Sequence, residues 1–206
     1  MSSGVRAERV VTSGTFSLDG ETFDVDNNVW LIGDDAEVLI VDAAHDAAAI
    51  TSAVAGRRVT AIVCTHGHDD HIGAAAELAD ATGAPILLHP AERELWETVH
   101  PDRKPDAELA DGMLLTVAGT DVRVLHTPGH SWGSCSLHVP SLDAVFTGDT
   151  LFHGGPGATG RSYSDAPTIV ASIRARLLTL PDGTTVHTGH GQDTTIAAER
   201  ANTPAA

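Results

Sequence analysis

Residues 65–71 read Thr-His-Gly-His-Asp-Asp-His, and they follow directly on the apolar run Val59–Cys64. Such a run has the length and content of a buried strand. The residues after the cluster, Ile72 to Gly83, take on a helical pattern that Gly83 terminates. Four side chains able to ligate a metal therefore lie within six positions, in a loop between a strand and a helix. His66 and His68, two apart beyond a strand end, can reach one ion if the loop curls around it. Asp70 and His71 fall at the N-terminus of the following helix, where exposed amides favour an anion. One ion cannot take four ligands from six residues without strain, whereas two adjacent ions can share them. A single histidine in such a loop is more often a polar cap or a surface hydrogen bonder; four candidate ligands in six residues reverse those odds.

The rest of the chain repeats this pattern of strand followed by loop. The run Val29–Asp42 reads as two short strands joined at Asp34-Asp35, and the Ala-rich stretch after it as a helix ending near Gly56. Strands are expected in APILLHP, VRVLHTPGH, CSLHV, AVFTGDT and TTVHTGHG, with helices in AERELWETV and APTIVASIRARLLTL, the latter behind Asp165 with Pro167 in its first turn. Three of the strand-end loops supply further candidates, His130 in TPGH, Asp149 in FTGDT and His190 in TGHG, each beside glycine, which lets backbone approach closely. Mixed strands and helices with loops converging on one edge place the chain in the α/β or α+β class.

Composition narrows the function further. At 206 residues, 42% hydrophobic and 19% charged, the chain suits one domain spanning residues 1–206. The formal charge of -16, with only 12 Lys and Arg scattered along the sequence, disfavours nucleic acid. No apolar run approaches the roughly 20 residues that span a bilayer. The N-terminus lacks the apolar stretch of a signal peptide, so a cytoplasmic location is expected. Cys64 and Cys135 sit in apolar surroundings and read as buried reduced thiols. Of the 12 histidines, five fall in the patterned contexts above; His45, His89, His126, His138 and His187 read as structural, and His153 is left open. No motif speaks to oligomeric state.

In that order and spacing, THGHDDH, TPGHS, FTGDTLF and TGHG resemble the metallo-β-lactamase superfamily, and within it the small glyoxalase II-like hydrolases, over residues 28–200. The resemblance implies an αββα sandwich with the metal site at the edge of its two sheets. It implies that His66, His68 and His130 hold one ion, that Asp70, His71 and His190 hold the other, and that Asp149 bridges them. Asp70 and Asp149 are the carboxylates assigned to catalysis, and Asp42, at the end of a strand, resembles the family's early aspartate that supports the metal loop.

Imidazole and carboxylate ligands suit Zn2+, and Fe or Mn also fit the set. Two cations about 3.5–4 Å apart can lower the pKa of a shared water from 15.7 towards 7, which makes hydroxide available at neutral pH. A thiolate leaves without a proton, so a small-molecule thioester is the expected substrate. Within the family, sulfur-ligated metallo-β-lactamases use a cysteine that has no counterpart here, which disfavours an antibiotic-hydrolysing role. Arg161 and Tyr163, in the Gly-rich segment His153–Asp165, resemble in type the residues that bind the thiol's glycine end in glyoxalase II. Their plain alternatives are a surface ion pair for Arg161 and packing over the next helix for Tyr163. Trp132 either lines the pocket or is buried.

Full-length glyoxalase II carries a helical C-terminal region that completes its glutathione site; the sequence here runs to Ala206, and no separate domain of that kind is expected. The ending resembles small bacterial relatives, and an S-acyl or S-formyl mycothiol is the specific substrate this suggests. Alternatives are a persulfide dioxygenase with a single iron, a lactonase or other hydrolase of the superfamily, and a nonenzymatic metal scaffold.

Overall fold

The computed structural model describes residues 4–204. The chain opens with a long hairpin, β1 (Arg6–Leu18) and β2 (Glu21–Gly33), followed by β3 (Glu37–Val41), α1 (Ala47–Val54), β4 (Arg58–Val63), α2 (Asp69–Ile72), α3 (Ala75–Thr82), β5 (Ile86–Leu88), α4 (Arg93–Val99) and β6 (Ala107–Glu108). The second half comprises β7 (Leu114–Val117), β8 (Thr120–His126), β9 (Cys135–Val139), β10 (Ala144–Gly148), β11 (Leu151–Phe152), β12 (Gly155–Pro156), α5 (Ala166–Ser172), β13 (Thr185–Thr188), β14 (Thr194–Thr195) and α6 (Ile196–Asn202). Strands β1 to β6 form one sheet in sequence order; the other runs β14-β13-β10-β9-β8-β7.

Three apolar clusters define the layers. Along β2 and β3, Leu31, Val38 and Ile40 pack with α1, α3 and Trp96 of α4 on the outer face of the first sheet. Their neighbours Trp30, Ile32, Leu39 and Val41 point the other way, against Val122, Val124, Leu137 and Phe146 of the second sheet. Successive strand side chains face opposite ways, so strands buried on both faces must be apolar throughout, which is why VLIV and AIV read as unbroken runs. Ile169, Ile173, Leu177 and Ile196 cover the remaining face of the second sheet. The result is a single-domain αββα sandwich, mixed α/β in class, as expected.

The direction of the strands places the site. β3, β4 and β5 are parallel, and so are β10 and β13. β8 runs with β10 because each is antiparallel to β9. The loops leaving β3, β4, β8, β10 and β13 therefore emerge along one edge, and these are the segments that carry Asp42, His66, His130, Asp149 and His190.

Several elements differ from the sequence reading. The helix read from Ile72 to Gly83 is two helices, because the Ala74 N–H bonds Ala43 O at 2.9 Å and leaves the helical register. The helix after Asp165 gives way to a π-helical turn over Ile173–Leu177. The β1–β2 hairpin went unread because β1 buries only Thr12 and so shows little apolar alternation. Its one local sign is Asp19-Gly20, both at positive φ (55° and 79°), a dipeptide that favours the tight turn of a two-residue hairpin.

Leu39 is 1% exposed in the layer between the sheets. Leu39→Ala is expected to lower the stability of the metal-free protein by about 2–5 kcal/mol, read as a reduced urea midpoint with an unchanged m-value.

Candidate metal centre

Asp42 is the first fixed point. The peptide N–H of Thr65 donates to Asp42 Oδ1 (2.7 Å), and the Thr65 hydroxyl donates to Oδ2 (2.8 Å). His71 Nδ1 lies 3.0 Å from the same Oδ2. Since the Thr65 hydroxyl hydrogen is committed to Asp42, its oxygen accepts from His66 Nδ1, 3.0 Å away. One buried carboxylate thus orients both ends of the histidine loop.

The same rule fixes the other rings. His130 Nδ1 donates to Ala158 O at 2.9 Å, and His190 Nδ1 donates to Asp26 O at 2.8 Å. With Nδ1 as donor in four rings, Nε2 is the nitrogen that His66, His71, His130 and His190 have left to offer a cation. These nitrogens face one another. His66 Nε2 and His130 Nε2 each stand 3.0 Å from His68 Nδ1, and His71 Nε2 stands 3.2 Å from His190 Nε2. Asp149 reaches both groups, with Oδ1 3.3 Å from His71 Nε2 and Oδ2 3.6 Å and 3.4 Å from the Nε2 atoms of His130 and His190. Asp70 Oδ2 is 3.3 Å from His190 Nε2.

The donor atoms of His66, His68 and His130 lie within 4.8 Å of one another, as do those of Asp70, His71 and His190. The structure brings all seven residues together, His66, His68 and His130 in one group and Asp70, His71 and His190 in another, with Asp149 beside both. A third combination, Asp42 with His66 and His71, also falls within 4.8 Å. It is weaker as a ligand set, because Asp42 is already occupied by Thr65 and His71 Nδ1.

The residues fit a pair of divalent cations. Buried Asp70 Oδ1 and Asp149 Oδ1 have no hydrogen-bond partner, and such atoms are costly unless a charge meets them. Lone pairs facing each other at about 3 Å likewise need a cation or protons between them. The ionisation pattern agrees. Burial pulls His190 down, but Asp149 and then Asp70 outweigh it and hold the imidazole up at about 10. His71 is lowered by burial yet raised well above its ordinary value by Asp70, Asp149 and Asp42. Burial, and then His130, depresses His68 to about 3. The carboxylates demand positive charge, and His71 and His190 are where protons supply it.

Sequence reading missed two contributors. Buried Asn27, on β2, donates to Asp70 Oδ2 (3.0 Å), and His45 Nε2 donates to Asn27 Oδ1 (2.7 Å). His45 was read as structural and in fact belongs to the ring of contacts behind Asp70; nothing local marks either residue, since both depend on the β1–β2 hairpin lying across the loop. His89 and His126 stack on each other at 4.4 Å, and His187 pairs with Asp193 and packs on Trp30. His138 is part-buried on β9, and His153 is exposed.

Two cavities meet at His68. One, of about 70 Å³, is lined by Phe16, Leu18, His130, Ala158, Thr159 and Arg161 among others. The other, of about 410 Å³, opens between the hairpin tip, Asp69, Leu95, Thr98, Ser162 and Tyr163. Arg161 is ion-paired with Glu21 at 2.7 Å and lies over the ring of Phe23. The Tyr163 hydroxyl donates to Glu94 at 2.9 Å on α4. Trp132 is 45% exposed and lines neither cavity. A further cleft of about 230 Å³, beside β5 and β6, holds Arg93, Lys104, Asp106 and Glu108.

The family model for the metallo-β-lactamase superfamily matches residues 22–190, which spans the whole centre. The chain belongs to the metallo-β-lactamase superfamily. Among curated relatives of this superfamily member is the hydroxyacylglutathione hydrolase GloC of Haemophilus influenzae, 35% identical over 69% of this chain and 74% of that protein. Among solved structures, the BLEG-1 B3 metallo-β-lactamase superposes with a TM-score of 0.79 at 32% identity, covering 94% of this chain and 98% of that one. TTHA1623 in a di-iron-bound form gives 0.78 at 32% identity, covering 87% and 95%. ETHE1 from Myxococcus xanthus gives 0.74 at 28% identity, covering 94% and 83%. The chain is accordingly a metal-dependent hydrolase of this superfamily.

Asp149 and Asp70 hold His190 up at about 10 and raise His71 as well, so protons compete with a cation for this pair. A cation must displace those protons, so apparent affinity falls as pH is lowered. Calorimetric titration with Zn2+ at pH 7 is expected to show proton release, seen as a heat that scales with the ionisation enthalpy of the buffer. A heat independent of buffer would remove this histidine pair from the ligand set.

Proposed function

We propose that this chain is a glyoxalase II-like thioesterase that cleaves a small S-acyl thiol with two divalent cations, Zn2+ in preference to Fe or Mn. The observation that carries the reading is Asp149, whose Oδ2 lies 3.6 Å from His130 Nε2 of one set and 3.4 Å from His190 Nε2 of the other, with Oδ1 3.3 Å from His71 Nε2. When bound, the two cations lower the pKa of a shared water and polarise the substrate carbonyl.

The chain's own residues do the rest. His66, His68 and His130 form one half of the cradle and Asp70, His71 and His190 the other. The unpartnered Oδ1 atoms of Asp70 and Asp149 are the acceptors available to a cation or to the proton of an attacking water. Phe16 lies edge-on to His68 at 5.1 Å and keeps one side of the centre apolar. A thiolate leaving group needs no general acid.

The cavity walls bear on the thiol carrier. Asp19, Glu21 and Asp69 line the larger cavity, and the nearby cation Arg161 is already paired with Glu21. An anionic carrier such as glutathione meets repulsion there unless Glu21 releases Arg161; a neutral, hydroxyl-rich thiol does not. An S-acyl or S-formyl mycothiol is a substrate of that kind.

The decisive experiment is metal quantification beside turnover of matched acyl esters of glutathione and of a neutral sugar thiol. Two ions per chain and faster release of the neutral thiol are expected; one iron with oxygen uptake on a persulfide would instead support the dioxygenase that the ETHE1 likeness suggests. Asp149→Ala should lower kcat by more than about 100-fold, since even residues behind the ligands cost 10–100-fold. Arg161→Ala should raise KM with kcat little changed if Arg161 contacts substrate; an unaltered KM would leave it a partner of Glu21 alone.

A further inference from the structure

Glu92 is a carboxylate 1% exposed, at the end of the turn that leads into α4. Two peptide N–H groups and the Ser131 side chain stand against it. The peptide N–H of Gly67 donates to Oε2 at 2.8 Å, and that of Gly133 donates to Oε1. Gly67 stands between His66 and His68. Gly133 is three residues beyond His130, in the turn where the Ser131 N–H and hydroxyl meet the Ser134 hydroxyl. A single side chain thus joins the two loops that carry one complete set of three histidines, and none of the other set.

Both glycines are needed for this approach. A Cβ on Gly133 would stand 2.8 Å from Glu92 Cγ and 2.9 Å from Oε1; one on Gly67 would stand 3.1 Å from Oε2 and 2.9 Å from Leu95 Cβ. Burying a carboxylate is expensive unless both oxygens are met by donors. A cross-link made only to hold two surface loops could use a neutral side chain at lower cost. What the carboxylate supplies is two acceptors in a fixed fork, so the two backbones keep one separation and one orientation. His68 Nδ1 stands 3.0 Å from both His66 Nε2 and His130 Nε2, and that equality depends on the separation of the loops.

We propose that Glu92 is a positioning residue for one of the two ions: by tying Gly67 to Gly133 it sets His66, His68 and His130 at ligating distance, leaving the set of Asp70, His71 and His190 to other supports. The inference rests on the two-ion reading above. Those other supports are Asp42, which holds His71, Asn27, which holds Asp70, and Asp26 O, which holds His190.

Glu92→Gln keeps the shape but turns one acceptor into an amide that faces an N–H donor. The test is stepwise Zn2+ affinity, measured by competition with a chromophoric chelator, together with metal content after gel filtration. The wild-type chain is expected to hold two ions. Glu92→Gln should keep one at unchanged affinity and bind the other about 10–100-fold more weakly, the range for residues that orient ligands. Gly133→Ala, which crowds the same carboxylate from the opposite side, should reproduce the selective loss and decides the matter if Glu92→Gln fails to fold by circular dichroism. Two ions held with wild-type affinity in the folded variants, or both weakened equally, would overturn the role of Glu92 while the metal reading stands. A wild-type chain that holds no ion would overturn both.

Discussion

Buried imidazole nitrogens that face one another at 3.0–3.2 Å are held in an arrangement that the fold must enforce. Each ring except His68 is pinned from behind by an acceptor: Thr65 Oγ1, Asp42, Ala158 O or Asp26 O. Those outward hydrogen bonds set the tautomer and leave the lone pairs turned inward. Left alone, such a cluster is destabilised, and the deficit shows in the ionisation of His71 and His190, which are driven to hold protons beside Asp70 and Asp149. The energy that a cation recovers there is what makes the chain a metal protein.

The sandwich supplies the rigidity this requires. Two sheets packed face to face, with helices outside, direct five loops to one edge, and the sheets are joined at that edge as well. Asn28 N–H donates to Gly189 O at 2.7 Å, and Trp30 Nε1 donates to Thr188 O at 3.0 Å. The loop carrying His190, from the second sheet, is thereby fixed to β2 of the first. Asp149 can meet both histidine sets only because this seam is closed. A Cβ on Gly189 would come within 2.2 Å of Asp149 Oδ1, so backbone without a side chain is what lets the bridge sit there.

The walls beside the centre come from two other segments. The tip of the β1–β2 hairpin and the segment after Asp149 face each other across His68, joined by the Ser162 N–H to Asp19 and by Arg161 to Glu21. Members of one superfamily can share the metal edge while differing in these walls, which fits resemblance to proteins whose names range from a hydroxyacylglutathione hydrolase to a B3 metallo-β-lactamase. Here the walls are acidic and their arginine is engaged.

By itself the sequence marked the candidate ligands, because metal chemistry requires particular side chains in close succession. THGHDDH, with His130, Asp149 and His190 each at a strand end, leaves few other uses for such residues. It also determined the buried strands, whose two hidden faces demand unbroken apolar runs. Tertiary structure alone decided which distant groups stand behind the ligands. Asn27, His45 and Glu92 carry no local signature, since each acts through a partner at least 18 residues away that only folding brings near. The partner of Arg161 was decided the same way: its charge was visible in the sequence, but the Glu21 that pairs with it comes from a hairpin whose weak apolar alternation gave little sign of its place over the site.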